Sequence, residues 1–330
     1  MGLRKLAGQK TYWHLLGSRR RPSTYDIASS KLLYYPTLGF GVDTPVGAWY
    51  ARHQADSLFT AASLSGFSDP RQTTYAGYTQ LQSEAEAYLS GVLDAASAAS
   101  TAVDPFWLQT LGRVFAPLRY PCHALMMLAA YVGSMAPESK VAIAAALQSA
   151  DETRRVNALA RRLHQLRGAL FGLGEDAREV WTSDPLWQPL RAGLERALVT
   201  WDWSRCFVLL NLVIKPAFDD VFNRALARRA RESGDATTAQ VLAALEADGR
   251  WQRDWSRALL RAVFAATPDA RATVLQWIAE MAPPIDAALA PLGDLIGDAS
   301  GEDHARAATG ARDAFLATCG FDTKSPATAT

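Results

Sequence analysis

The stretch Trp201–Ser233, WDWSRCFVLLNLVIKPAFDDVFNRALARRARES, decides the fold class of this chain. It predicts one long helix with a kink at its single proline, Pro216. A proline in the middle of a helix of this length is expected to bend the helix rather than end it. Gly234-Asp235 then supplies the stop signal. At 1.5 Å per residue, about 30 helical residues span about 45 Å, which favours a long helical bundle over a globin-like ball.

The flanking sequence predicts further helices. Asp104-Pro105 and Asp184-Pro185 each place an N-cap residue before a proline at the first helical position, and Pro283-Pro284 is expected to stop a helix. No segment shows the alternation of a strand or a hairpin turn, so the predicted class is all-α. Besides 201–233, the predicted helices are 72–99, 104–135 with a kink or wide turn at its prolines, 137–167, a shorter one after Pro185, 237–247, 250–280 bent near Pro268, 286–296 and 301–318.

These helices suggest an internal duplication. A long helix and its partner come first, at 104–135 and 137–167, and a second such pair follows at 201–233 and 250–280. Two helix pairs joined by a long crossover are the layout of ferritin-like bundles. We therefore expect residues 76–330 to form one ferritin-like helical domain.

Residues 1–75 differ from the rest, because glycine, proline, aspartate and serine recur at short intervals and disfavour long helices. The first 35 residues are also basic, with seven Lys or Arg side chains against the single acid Asp26. Aromatic and arginine side chains together are typical of protein interfaces. We expect an extended arm packing on a partner subunit. The predicted interface residues are Tyr12, Trp13, Arg19, Arg20, Arg21, Tyr25, Trp49 and Tyr50.

Composition excludes several other classes. The net charge of +1 gives no reason to expect a nucleic-acid partner. The three cysteines, Cys122, Cys206 and Cys319, are far apart, which argues against a zinc site and for a reducing compartment. The longest strongly apolar run, near 125–135, is too short to span a bilayer. We expect a cytoplasmic protein without a membrane segment.

A ferritin-like bundle raises the question of iron, because such bundles hold two metal ions with Glu-x-x-His pairs on two helices. The chain has five histidines, and none has an acid three residues upstream. No Glu-x-x-His metal ligand set is therefore predicted. The upstream residues are Thr11, Tyr50, Tyr120, Arg161 and Gly301.

Two segments nevertheless carry an acid followed three residues later by arginine, namely Glu152 with Arg155 and Asp254 with Arg257. Arginine stays protonated and cannot donate a lone pair to iron, but it can pair with the remaining carboxylate. We interpret these four residues as degenerate metal-helix positions. The alternative, two ordinary surface pairs with i,i+3 spacing, remains open at this point.

An ordered set of short motifs resembles the β subunits of toluene monooxygenase hydroxylases, within the bacterial multicomponent diiron monooxygenases that act on substrates such as toluene, benzene, isoprene and small alkenes. The similarity runs from about residue 10 to residue 260 and fades beyond. The motifs are Lys10-Thr11-Tyr12-Trp13, Arg19-Arg20-Arg21-Pro22-Ser23-x-Tyr25, Trp49-Tyr50, Pro117-Leu118-Arg119-Tyr120 with His123-Ala124-Leu125, Ala150-Asp151-Glu152 with Arg154, Val180-Trp181, Asp184-Pro185 with Trp187-Gln188, Trp201-Asp202-Trp203 and Lys215-Pro216.

The resemblance implies a ferritin-like fold and a structural, non-catalytic role in an α2β2γ2 hydroxylase that uses O2 and NADH-derived electrons. In that family the α subunit carries the diiron centre, and a Rieske ferredoxin, a reductase and an effector protein complete the system. The β subunit builds the dimeric core and binds no iron. No catalytic residue is carried over, because the family assigns none to this subunit.

Two alternatives from other classes stay open at the level of sequence. One is a free-standing helical scaffold or adaptor unrelated to oxidation. The other is a diiron enzyme whose ligands are all acids, and its candidate ligands are Glu84, Glu86, Glu152, Asp219, Asp220 and Asp254.

Overall fold

A computed structural model describes residues 22–32, 45–54, 56–96, 104–297 and 303–321. Within these ranges the chain forms helices and no strand, which confirms the all-α class. The first nine helices are α1 Thr24–Leu32, α2 Pro45–Gln54, α3 Ala61–Leu64, α4 Tyr75–Ala96, α5 Pro105–Thr110, α6 Arg119–Met135, α7 Ser139–Ala169, α8 Ala177–Ser183 and α9 Gln188–Leu198. The others are α10 Trp203–Val208, α11 Lys215–Asp219, α12 Leu226–Glu232, α13 Ala236–Ala266, α14 Ala270–Ile296 and α15 His304–Thr318.

The described part of the N-terminal segment contains three helices, α1 to α3, with non-helical stretches at 56–60 and 65–74. The helices are short, as the frequent turn formers require, and the described part of the segment is not the continuous extended chain expected from the sequence. Helix α1 packs on α7, and Tyr25 is only 3% exposed and donates a hydrogen bond to Asp69 over 3.1 Å. The Tyr25 side chain therefore makes its contacts inside the chain and offers little surface for the predicted interface.

The long helix predicted from 201–233 is present as one helical run from Trp203 to Glu232. It contains two π-helical segments, π2 at Leu209–Ile214 and π3 at Asp220–Ala225, on either side of α11. A third segment, π1 at Leu111–Phe115, extends α5. Pro216 lies at the start of α11, directly after π2. Its missing N–H therefore falls where the hydrogen-bond register changes, and the run continues through it.

Two predicted helix ends are absent. Helix α13 runs unbroken past Gly249, where the sequence suggested a gap, and α14 continues through Pro283, Pro284 and Pro291. A proline inside a helix costs about 3 kcal/mol. In α14 the apolar face next to the prolines, including Met281 and Ile285, is buried, and that burial offsets the cost.

Four long helical units enclose the main core. Helix α6 packs on α7, α7 on α13, α13 on α12 and π3, and α10 with π2 returns to α6. This closed four-helix arrangement is the ferritin-like bundle that the sequence predicted. Helix α4 covers α7 and α13, while α14 and α15 cover the outer side of the long helix. Across the described ranges, no helix combines the length and apolar character needed to cross a bilayer.

Candidate functional site in the bundle core

Polar side chains occupy the centre of the four-helix core. Helix α7 contributes Gln148 and the long helix contributes Asn211, and the Gln148 amide donates to the Asn211 carbonyl oxygen over 2.8 Å. The indole N–H of Trp255 on α13 donates to the other end of Gln148 over 3.0 Å. All three side chains are buried. This layer links three helices of the bundle through directional bonds.

One turn further along the bundle lies a quartet of buried charges, Glu152 and Arg155 on α7 with Lys215 and Asp219 on the long helix. None of the four residues is more than 4% exposed. The Lys215 ammonium lies 2.5 Å from a Glu152 oxygen and 3.1 Å from an Asp219 oxygen. The Arg155 guanidinium lies 2.8 Å from Asp219 and 3.6 Å from Glu152. The quartet therefore contains two acids and two bases and is neutral as a group.

The electrostatics of the quartet favour the charged forms of Asp219 and Lys215. Burial alone would raise the pKa of Asp219, but the nearby Lys215 and Arg155 cations outweigh burial and lower it. Burial alone would lower the pKa of Lys215, yet the Asp219 and Glu152 carboxylates raise it. Cys122 on α6 lies beside these charges, and burial raises the pKa of its thiol to about 12. We therefore expect Cys122 to remain a neutral thiol.

The π-helical segments explain how the long helix aims so many polar groups inward. Asn211, Lys215, Asp219 and Asn223 are four residues apart and all buried. In an α-helix of 3.6 residues per turn, each such step drifts by about 40° around the axis. A π turn closes over one more residue, so π2 and π3 rotate the stripe back toward the core. Asn223 consequently reaches Arg155, whose guanidinium donates to it over 2.7 Å.

The residues of this core do not fit a pair of iron ions. The Glu152 and Asp219 carboxylates already receive hydrogen bonds from Lys215 and Arg155, and neither cation can ligate a metal. Within the described part of the chain, no group of three His, Cys, Asp or Glu side chains is placed to hold a metal ion. The structure brings together only two of the six acids proposed for an all-acid diiron site.

The other four acids of that hypothetical site lie elsewhere. Glu86 pairs with Arg154 and Arg161, and Asp220 pairs with Arg224 over 3.0 Å. Glu84 and Asp254 are exposed. The all-acid alternative therefore loses the geometry that it requires.

The second acid–arginine pair, Asp254 with Arg257, fits the alternative of an ordinary surface pair that the sequence left open. The two side chains do pair, at 2.5 Å, but they are 51% and 30% exposed on the outer face of α13. The residues with i,i+3 spacing that α13 turns inward are Gly249 and Gln252, both buried. A Cβ atom on Gly249 would lie 3.0 Å from an Asp219 oxygen, so glycine lets α13 approach the charged quartet.

A second buried cluster fastens α4 to the bundle. The Tyr78 hydroxyl donates to Asp151 over 2.7 Å, and the Gln82 amide donates to the same oxygen over 2.8 Å. Arg154 pairs with Asp248 on α13 and lies 3.4 Å from Glu86 on α4. Burial first, and then the nearby Asp248, raises the pKa of Asp151 to about 7.

Asp151 should make stability depend on pH near neutrality. Its pKa is about 7 in the folded chain against the ordinary value of 3.8. Between these values the unfolded chain releases a proton that the folded chain retains, so the free energy of unfolding falls as the pH rises toward about 7 and stays low above it. Asp151→Asn should remove this loss, which amounts to a few kcal/mol at about 1.4 kcal/mol per pKa unit.

Denaturant unfolding at pH 5 and pH 8 measures the effect. The unfolding free energy of Asp151→Asn, taken relative to that of the parent chain, should be higher at pH 8 than at pH 5. Glu84→Gln, at an exposed carboxylate on the neighbouring helix α4, is the control and should leave the pH dependence unchanged. Parallel pH profiles for Asp151→Asn and the parent would contradict the prediction.

Sequence reasoning found half of the quartet and missed the other half. Glu152 was paired with Arg155, but its nearest partner is Lys215, and the nearest partner of Arg155 is Asp219. The signal that could have found both is present in the long helix, where a polar residue recurs every fourth position among apolar residues, from Asn211 to Asn223.

The predicted interface residues divide into two groups. Tyr12, Trp13 and Arg19 to Arg21 lie outside the described residues. Trp49 and Tyr50 are half-buried on α2. The Trp49 ring meets the edge of Trp201 at 5.1 Å between ring centroids, and Trp201 itself is 39% exposed. Both α2 residues thus border the surface.

The fold and its core together define a ferritin-like helical subunit whose inward positions hold ion pairs in place of metal ligands. The family model described as Methane/Phenol/Alkene Hydroxylase matches residues 49–267, about two thirds of the sequence. The chain belongs to this hydroxylase family.

Individual relatives agree with this assignment. The chain is 34% identical to the hydroxylase component subunit beta of the toluene-4-monooxygenase system of Ectopseudomonas mendocina, over 84% of this chain and 88% of the relative. It is 25% identical to the oxygenase component DmpL of phenol 2-monooxygenase from Pseudomonas sp. strain CF600, over 92% and 91% of the two chains.

A solved structure of toluene 4-monooxygenase with toluene bound in its resting active site is similar in fold. It superposes with a TM-score of 0.79 at 32% identity and covers 88% of this chain and 98% of the solved one. Together with the curated relatives, this likeness confirms the resemblance found in the sequence. The chain is a β-type subunit of the hydroxylase component of a multicomponent monooxygenase.

Proposed function

We propose that this β-type subunit builds the structural core of an α2β2γ2 hydroxylase that oxidises small hydrocarbons, such as aromatics or alkenes, with O2. The diiron centre would belong to the partner α subunit. A Rieske ferredoxin, a reductase and an effector protein would complete the system, supplying electrons from NADH. The observation that carries the structural role is the charged quartet, because Lys215 and Arg155 occupy the carboxylates that a metal would need.

The proposed interface combines the N-terminal segment with the aromatic patch of α2. Trp49, His53, Tyr131 and Trp201 form a connected group of rings with centroids 4.2 to 6.4 Å apart. Aromatic side chains with one exposed edge are common anchors at protein interfaces. Tyr12, Trp13 and the three arginines at 19–21 would extend this contact along the partner. The three unpaired, buried cysteines support a reducing cytoplasm as the compartment.

Purification of the native assembly tests the subunit role. We expect a tagged chain to recover a larger hydroxylase subunit and a smaller one in equal amounts, with iron in proportion to the larger subunit. The separated chain should bind no stoichiometric iron. Iron held by the separated chain, or a stable monomer that recovers no hydroxylase subunit, would contradict the proposal.

Deletion of residues 1–21 is expected to weaken assembly and leave the bundle intact. The segment contains Tyr12, Trp13 and Arg19 to Arg21, and the first helix that the structure describes begins at Thr24. Gel filtration of the co-expressed subunits should show less complex, while circular dichroism of the isolated chain keeps its helical signal. Deletion of 324–330, which contains no aromatic residue, is the control. Equal complex yields for both deletions would refute the interface role.

A further inference from the structure

A groove of about 420 Å³ lies between α13 and α15, on the side of the molecule away from α4 and α7. One wall is formed largely by arginine side chains and the other by Ala311, Ala314 and Phe315 of α15. We call it the arginine groove. Its arginines are Arg224, Arg250, Arg253 and Arg257.

The arginines of α13 form a stripe along the helix. Arg250, Arg253 and Arg257 are spaced i, i+3 and i+7, and Arg261 continues the pattern at i+11 on the exposed surface. Residues with this spacing share one helix face. From Arg250 to Arg261 the stripe extends about 16 Å at 1.5 Å per residue. Asp254 is the single acid among the described residues that line the groove.

The acids near the groove leave part of this charge available. Arg224 and Arg253 both reach Glu246, at 3.0 and 2.7 Å. Arg224 also pairs with Asp220, and Arg253 lies 3.9 Å from Asp219. Arg257 is paired with Asp254. Arg250 has neither a hydrogen bond nor an ion pair with any residue that the structure describes, and it is exposed. Each guanidinium carries five N–H donors, and the paired side chains of Arg224 and Arg257 are still 45% and 30% exposed, so solvent or a ligand can reach them.

We propose that the arginine groove binds an acidic segment of a partner protein. The planar guanidinium group of arginine has the geometry to bind a carboxylate with two parallel hydrogen bonds. The stripe is longer than a phosphate or a small carboxylate, which could contact only one end of it. A peptide with several Asp or Glu side chains can meet successive arginines and place an apolar side chain against Ala311 and Ala314. This surface goes beyond the proposed function, since a structural subunit role does not require it.

A labelled acidic peptide tests the proposal on the full-length chain. The probe is a short peptide that alternates Glu with Leu, and the matched probe replaces each Glu with Gln. We expect fluorescence anisotropy to show binding of the Glu peptide alone, weakening as salt is added. Arg250→Glu and Arg257→Glu should each reduce affinity about tenfold or more. Arg178→Glu, at an exposed arginine on α8, should leave affinity unchanged.

A photo-reactive version of the Glu peptide adds a readout of position. It should cross-link to α13 or α15, and the Arg250→Glu variant should lose the cross-link while circular dichroism stays the same. Three results would overturn the proposal: no binding of the Glu peptide, equal losses with Arg178→Glu, or cross-links confined to other helices. Tighter binding of pyrophosphate than of the peptide at the same arginines would also overturn it, because a small anion would then be the ligand.

Discussion

Lys215→Met should lower the free energy of unfolding by about 3–5 kcal/mol, the usual cost of removing one partner from a buried ion pair. Lys215 is 4% exposed and bridges Glu152 and Asp219. Methionine keeps most of the volume and removes the charge. Two buried carboxylates would then share Arg155, with Arg253 at 3.9 Å from Asp219 as the next nearest cation. Much of one negative charge would remain uncompensated in the core.

Two further variants separate charge from packing in this experiment. In Glu152→Gln with Lys215→Met, one acid and one base are removed together, so the core stays neutral and most of the lost stability should return. Arg257→Met removes one member of an exposed pair and should cost about 1 kcal/mol or less. Denaturant unfolding followed by circular dichroism measures all three. A cost for Lys215→Met no larger than for Arg257→Met would contradict the account of the quartet.

Asp235→Ala is expected to lower the free energy of unfolding by about as much as Lys215→Met does, but through the loss of both a helix cap and a buried ion pair. Asp235 caps the 31-residue helix α13, because its carboxylate accepts the backbone N–H of Thr238 over 2.9 Å. It also accepts from Arg162 over 2.7 Å and from the indole of Trp107 over 3.2 Å. All four residues are buried. Loss of the cap costs about 1 kcal/mol, and the unpaired Arg162 adds about 3–5 kcal/mol.

The controls for Asp235 distinguish the cap from the buried charge. Asp235→Asn keeps an oxygen for the cap but loses the negative charge, so it should fall between the parent chain and Asp235→Ala. Asp303 caps α15 in an exposed position and accepts the N–H of Arg306 over 2.9 Å. Asp303→Ala should therefore cost about 1 kcal/mol. If the alanine variants at 235 and 303 lose equal stability, the buried network contributes nothing beyond capping.

The specificity of the core matters more than its net energy. A buried set of two acids and two bases can often be replaced as a whole by apolar residues without loss of stability. What the quartet supplies is a fixed register, because Glu152 and Arg155 of α7 meet their partners only when Lys215, Asp219 and Asn223 of the long helix lie opposite them. We expect Arg155, which reaches both Asp219 and Asn223, to set how α7 lies against the long helix.

The sequence alone was sufficient for the fold class and for most of the bundle. Helical spacing, the cap of Asp104, which accepts the N–H of Phe106, and the absence of strand patterns depend on neighbours within a few residues. These local interactions can be read directly from the sequence. The paths of α13 past Gly249 and of α14 through its prolines were not predictable. Whether a helix continues through a glycine or a proline depends on how much apolar surface the helix buries there. The residues that cover this surface come from distant segments of the chain.

The two acid–arginine motifs show that the sequence alone does not determine which residues of a helix are buried. Glu152 with Arg155 and Asp254 with Arg257 have the same spacing and the same residue types, yet the first pair lies in the core and the second on the surface. Helical periodicity determines which residues share a face. Only tertiary packing decides which way that face points, because the partners that cover it, Lys215 and Asp219, come from a helix some 60 residues further along.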